Sequence, residues 1–173
     1  TTALAFASLL DGLAARGNEL RLPATSRVME TGGFKGRRQQ VTREDMRARI
    51  QRHLGIDARH VVSEYGMTEM LSQFYDGVLA EPQARPGVFR APDWVRTRVL
   101  DPSTLKPMPM GEVGVLAHHD LANLHSVSAL LTEDLGRRTT EGFELLGRAE
   151  GSELRGCSLA FEELVSAQRM PHA

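Results

Sequence analysis

The sequence predicts an α/β fold in which a parallel α/β layer is followed by a smaller antiparallel, barrel-like β subdomain. Three observations carry this. Two amphipathic helical stripes fall in the first third of the chain. Two strand-like runs, 27–30 and 61–65, flank the second stripe. Beyond residue 92 helical spacing gives way to short strands and turns. Parallel strands need a long crossover, usually a helix, so a strand–helix–strand run is the mark of a parallel unit. The change of pattern divides the chain into 1–92, the α/β part, and 93–173, the β-rich part.

Phe6, Leu9, Leu10 and Leu13 recur at helical spacing and predict a helix over 3–16 that stops at Gly17. Residues 27–30 then read as a strand delivering the chain to Thr31-Gly32-Gly33. Two adjacent glycines let backbone lie flat against a ligand, and serve equally as a plain turn. Lys35 beyond them reads as an exposed cation as readily as a ligand contact. Thr42 caps a second helix, with Asp45 three residues on. Met46, Ile50, His53 and Leu54 form its apolar stripe, and Gly55 ends it. Arg43, Arg47, Arg49 and Arg52 lie mostly off that stripe and are expected to face solvent. His53, on the edge of the stripe, is expected to pack.

The run 61–65 breaks at Gly66 and hands the chain to Thr68 and Glu69 with no periodicity of its own. Ligands of parallel α/β sheets collect at the carboxyl ends of strands, which is where this break falls. A glycine there permits φ > 0 or a close approach by ligand. Thr68 supplies a hydroxyl, and Glu69 a carboxylate of the kind Mg²⁺ prefers. The other reading is a helix start, with Thr68 as its cap and Glu69 favoured by the helix dipole.

Pro82, Pro86, Gly87 and Pro92 make 81–92 a loop. Residues 94–100 and 113–118 are strand-like and are joined by 101–110, which carries Pro102, Pro107 and Pro109. Residues 138–140 and 143–147 bracket Glu141-Gly142, a short-turn signal. Gly111-Glu112-Val113-Gly114-Val115-Leu116 reads as a turn entering a buried strand. His118-His119-Asp120 suggests a metal, but adjacent strand residues point to opposite faces and no second His/Cys cluster stands at ligand spacing.

The composition, 173 residues with 41% hydrophobic and 25% charged, is that of an ordinary domain with a core. A net charge of −1 favours neither nucleic acid nor an anionic membrane as a partner. No apolar run approaches the roughly 20 residues that span a bilayer. The single cysteine, Cys157, excludes an internal disulfide and matches a reducing, cytoplasmic setting.

Tyr65-Gly66-Met67-Thr68-Glu69 resembles the central signature of the adenylate-forming superfamily, which includes acyl-CoA synthetases, luciferases and peptide-synthetase adenylation domains. Gly32-Gly33-Phe34-Lys35-Gly36, Gly111-Glu112-Val113-Gly114-Val115-Leu116, Thr132-Glu133-Asp134-Leu135-Gly136 and the run from Gly147-Arg148 to Gly156 stand in that superfamily's order. Within it, the Gly-Gly-Phe-Lys-Gly element and Arg155-Gly156-Cys157-Ser158-Leu159 most resemble the LuxE-type acyl-protein synthetases of bacterial luminescence and the related phenylacetate-CoA ligases. The resemblance runs from about Arg27 to Glu163.

It implies an ATP-dependent ligase that forms an acyl-adenylate from a carboxylic acid and passes the acyl group to a thiol. On that likeness Thr68 binds the α-phosphate and Glu69 holds Mg²⁺. Tyr65 stacks on adenine, with Gly32, Gly33 and Gly66 close to the nucleotide. Asp134 accepts the ribose hydroxyls, and Arg148 reaches ribose or phosphate. Cys157 is in the place of an acyl-carrying cysteine, and Arg155 beside it favours thiolate, although a lone cysteine is otherwise a small buried hydrophobe.

The implied partners are a long-chain fatty or aryl acid, CoA or an acyl-accepting or reductase protein, and an amino-terminal half of the same enzyme bearing the phosphate loop, which has no counterpart between Thr1 and Ala173. The chain is thus expected to be a carboxy-terminal half, inactive alone. It departs from the superfamily in stopping at Ala173, before a lysine-bearing lid that is expected either to be absent, as in the short acyl-protein synthetases, or to have been removed, and in having Glu150 where a hinge aspartate is frequent. The competing expectation is a non-catalytic acyl- or nucleotide-binding partner module.

Overall fold

A computed structural model describes residues 1–32, 41–81 and 83–149. Helix α1 (Ala3–Ala15) starts at Thr2, whose hydroxyl accepts from the Ala5 amide, and buries Phe6, Ala7, Leu10 and Leu13. Leu9, expected on that stripe, is 49% exposed. One residue of helix turns the side chain about 100°, which carries Leu9 off the face that Phe6, Leu10 and Leu13 share. Helix α2 (Arg43–Leu54) has the expected ends. Thr42 Oγ1 accepts from the Asp45 amide at 3.0 Å, its hydroxyl donates back to the Asp45 carboxylate at 2.9 Å, and Gly55 closes the helix. Met46, Ile50, His53 and Leu54 are buried.

Strand β1 (Val28–Thr31) and strand β2 (Val61–Tyr65) lie parallel, Val28 beside Val61 and Thr31 beside Glu64, with α2 as the crossover. Strand β3 (Phe74–Tyr75) returns antiparallel on β2, with Phe74 opposite Tyr65. The two helices and the Val28 and Val61 side chains enclose the first core.

The arginines of α2 do not all face solvent. Arg47 is 6% exposed and reaches Asp76, the Ala58 carbonyl and Ser63. It flanks Met46 and Ile50, so its alkyl stem lies along the core edge and carries the charge to the segment after β3. Arg43 places its guanidinium over the Phe89 ring, 5.6 Å from the centroid.

Strands β4 (Val88–Phe89), β5 (Val95–Leu100), β6 (Val113–Asp120), β7 (Ala129–Arg138) and β8 (Phe143–Arg148) form a curled antiparallel sheet of order β4-β8-β7-β6-β5. Its first strand comes from within the expected loop 81–92. Of the third expected strand, 138–140, only Arg138 is in a strand, as the last residue of β7, and the turn covers the Thr139–Gly142 stretch. β7 escapes a period-two reading because it is irregular. Between the pairs Val115–Leu135 and Ala117–Leu131, three of its residues, Thr132, Glu133 and Asp134, stand against Leu116 alone. Tyr65, Met70 and Phe74 pack with Phe89, Val95, Val99, Leu116 and Phe143, so the second core joins the two sheets.

Candidate active site

The parallel register puts the ends of β1 and β2 side by side. Gly32 leaves β1 where Tyr65 ends β2. Gly32 has φ +74°, a left-handed conformation that glycine takes without strain. Gly66 differs. Its φ is not left-handed, and a Cβ there would meet Glu64 Oε1 at 2.5 Å, the far end of a flexible side chain that can turn aside.

Thr68 and Glu69 follow on an exposed turn closed by the Met70 amide on the Met67 carbonyl, and no helix begins there. The Thr68 hydroxyl donates to the Glu69 carboxylate at 3.2 Å. Together they present oxygen donors of the sort that suit Mg²⁺ when phosphates and water complete its shell.

Tyr65 is 6% exposed. Its ring lies among Phe74, Phe89, His118 and Phe143, with centroids 5.6 to 5.9 Å away. Stacking on adenine requires this ring to give up one of those neighbours. Its hydroxyl donates to Asp134 Oδ2 at 2.7 Å. Burial and the neighbouring Asp134 push the phenol pKa well above its ordinary value, so the group stays a donor.

Asp134 and Arg148 are opposite one another across β7 and β8, and Arg148 Nε lies 3.3 Å from Asp134 Oδ1. The Thr132 hydroxyl ties the irregularity of β7 down: it donates to the Leu116 carbonyl at 2.9 Å and accepts from the Asp134 amide at 3.1 Å. A second irregularity, where Leu135 pairs with Gly147 but Gly136 with Leu145, aims Arg148 back at Asp134. Arg148 also reaches Glu133 at 3.2 Å.

Behind Tyr65 lies His118, which the sequence marked only as a weak metal candidate. It is 2% exposed, with Nδ1 3.0 Å from Thr97 Oγ1 and Nε2 3.5 Å from the Tyr65 hydroxyl oxygen. Burial lowers its pKa to about 4, so the ring is neutral. An Nε2–H tautomer satisfies every partner in the line Thr97, His118, Tyr65, Asp134. Asn123 escaped the sequence reading, and Asp120 entered it only with His118 and His119 as a weak metal candidate. Both are buried, and they hold the loop that follows Glu69. A short polar residue at a strand end carries no signal of that kind in one sequence.

Of the expected site residues, the fold brings Tyr65, Asp134 and Arg148 into contact, sets Thr68 against Glu69 four residues beyond Tyr65, and lays Gly32 beside Tyr65 at the sheet end. Gly33, Lys35, Glu150, Arg155 and Cys157 lie outside the described residues.

Comparison with known proteins follows the same lines. Over 84 residues the chain is 33% identical to a "Long-chain-fatty-acid--luciferin-component ligase" of Vibrio harveyi, an alignment covering 44% of this chain and 22% of that protein. The chain thus spans about a fifth of the length of the curated relatives it matches. Among solved structures, the McyG A-PCP complex with phenylalanyl-adenylate superposes with TM-score 0.57 at 16% identity over 87% of this chain and 26% of its own. The O-succinylbenzoate Coenzyme A Synthetase (MenE) of Bacillus subtilis in complex with AMP gives 0.54 at 20% identity over 86% and 30%. At these identities the structures speak for the fold alone. Residues 4–166 match the family described as "Acyl-protein synthetase, LuxE", and the chain belongs to that family.

Proposed function

We propose that this chain is the carboxy-terminal part of an ATP-dependent ligase that converts a long-chain fatty acid to its acyl-adenylate and passes the acyl group to a thiol. The observation that carries the reading is the Asp134 carboxylate. One oxygen is held by the Tyr65 hydroxyl and the other lies beside Arg148, which leaves lone pairs for two converging ribose hydroxyls. The family membership and the fatty-acid ligase names of the curated relatives support the same chemistry and the choice of acid.

In this reaction an acid carboxylate attacks the α-phosphate and pyrophosphate leaves. Both partners are anionic, so donors and cations must be in place beforehand. Glu69 would hold Mg²⁺ and Thr68 would donate to the α-phosphate. The ion, when bound, offsets phosphate charge. Arg148 adds a fixed cation near the ribose, and Gly32 leaves the backbone open at the edge of the base site. Cys157 is proposed as the acyl acceptor, with CoA as the competing acceptor. The amino-terminal half of the enzyme is proposed to supply the phosphate loop and part of the acyl pocket.

The test is pyrophosphate release by the full-length protein with fatty and aryl acids across a magnesium series. Release only with long-chain acids is expected; none with any acid refutes the reading. Labelled acyl should be trapped on wild type and absent from Cys157→Ser, and equal labelling refutes the acceptor role. One observation favours a second reading, a non-catalytic binding module: the Tyr65 ring packs against Phe74, Phe89, His118 and Phe143, which stands against the adenine stacking expected of a catalytic site. Nucleotide binding without pyrophosphate release would establish that module.

A further inference from the structure

Two buried polar side chains, one ending β6 and one on the connection after it, have no part in the proposed chemistry. Asp120 is fully buried and its carboxylate accepts from the Ser72 amide at 3.0 Å, the Ser72 hydroxyl at 2.9 Å and the Ala122 amide at 2.9 Å. Asn123, 4% exposed, accepts at Oδ1 from the Leu71 amide at 2.8 Å. Its Nδ2 donates to the Glu69 carbonyl at 2.8 Å and to the Val127 carbonyl at 3.1 Å. Trp94 Nε1 donates to the Ser72 hydroxyl at 2.9 Å. The loop from Glu69 to Ser72 belongs to the first sheet by sequence, yet it is gripped by the second.

We propose that Asn123 is a positioning residue for Glu69, fixing the direction in which its carboxylate leaves the loop and its place relative to Asp134. The inference rests on the reading of Glu69 as a magnesium ligand. A primary amide has one acceptor and two donors, which matches an exposed N–H and C=O two residues apart. Asn123 takes both, on either side of Met70, whose side chain is buried in the second core. With the Glu69 carbonyl and the Leu71 amide both held, the backbone between them is restrained on either side of Met70. Asn123 follows β6 and Asp134 lies on β7, its neighbour, so the clamp ties the metal-binding loop to the sheet that carries the ribose carboxylate.

The experiment uses the full-length protein and three variants: Asn123→Ala, Asn123→Ser as a milder change that keeps one hydroxyl, and Glu69→Gln as the reference. Three quantities are read: hydrogen exchange at the Leu71 amide without metal, AMP affinity without metal, and the Mg²⁺ concentration that half-restores ATP affinity by calorimetry. Outer partners of metal ligands typically change metal affinity by about 10–100-fold, so Asn123→Ala is expected to raise the Mg²⁺ requirement at least about tenfold, and Asn123→Ser less. Leu71 exchange should quicken, while AMP affinity stays within about twofold because its contacts are on the Asp134 side. A Mg²⁺ requirement unchanged in both Asn123 variants overturns the inference, as does an AMP affinity that falls in step with it, since that marks general loosening. A wild type whose ATP affinity ignores Mg²⁺, or a Glu69→Gln variant that behaves as wild type, refutes the metal reading of Glu69 and the inference with it.

Discussion

Two arginine–aspartate pairs in this chain have the same chemistry and opposite surroundings. Arg47 and Asp76 meet at 2.9 Å with side chains 7% and 0% exposed. Around them Ser63, the Ala58 carbonyl, the Gly87 amide and, through Ser63, Glu30 are drawn into one buried network. Arg148 and Asp134 lie 3.3 Å apart with 27% and 17% of their side chains exposed, at the rim of the second sheet. The first pair is spent on the scaffold: it joins α2 to the segment after β3. The second is anchored from behind by Tyr65 and still faces solvent, which is the condition for receiving a ligand.

Burial separates a structural ion pair from a candidate binding one. Sequence position does not, since Arg47 was expected to face solvent and is the more buried of the two.

The sharpest break of this contrast is Arg47→Met. It strands the Asp76 carboxylate with its charge uncompensated, and about 3–5 kcal/mol of stability should be lost in urea unfolding. A loss below about 1 kcal/mol would show that the pair is not structural. Asp134→Asn is the converse. Its remaining carbonyl still accepts from Tyr65, so stability should change little. That one oxygen cannot also serve two ribose hydroxyls, and AMP affinity should fall by about 1.5–3 kcal/mol, roughly ten- to hundredfold, in calorimetry. Equal damage to folding and binding would erase the distinction drawn between the pairs.

His118 sharpens it further, because it stands behind the Asp134 pair. Its pKa is lowered to about 4 in the folded protein against about 6.5 unfolded. The unfolded chain therefore binds the extra proton first as pH falls. The stability that rests on a neutral ring is complete above about pH 6.5 and is lost toward pH 4. Wild type should lose about 2 kcal/mol more than His118→Gln between pH 7 and pH 5, and parallel pH curves would refute the buried neutral ring. The smallest effect is expected at Arg85, whose pair with Glu141 is exposed on both sides. Arg85→Ala should shift stability by no more than about 0.5 kcal/mol. A larger change would mean that exposure is not what divides structural pairs from incidental ones.

Much of the fold was legible because it rests on local chemistry. Thr42 and Gly55 bound α2 as caps must, and the strand–helix–strand run could only pair in parallel. The second sheet was read less well. β7 hides its period behind Thr132, Glu133 and Asp134, and β4 hides between prolines and glycine in a run too short to alternate. Arg47 was misread because a long side chain is assigned to solvent by its charge, whereas its stem follows the core and its head finds Asp76 from another element. The Asp120 and Asn123 grip on the loop after Glu69 was beyond reach, since those partners are about fifty residues apart.

The sequence by itself determined the family, the order of the motifs and the residue types offered to a nucleotide, because short-range patterns of glycine, hydroxyl and carboxylate are written along one stretch of chain. Tertiary structure alone decided that Tyr65 holds Asp134 through its hydroxyl, that Arg148 is opposite Asp134 across two irregular strands, and that Asn123 grips the Glu69 loop. Those relations depend on strand register and on which buried polar group finds which partner, and both are set only when distant segments pack together and water is excluded.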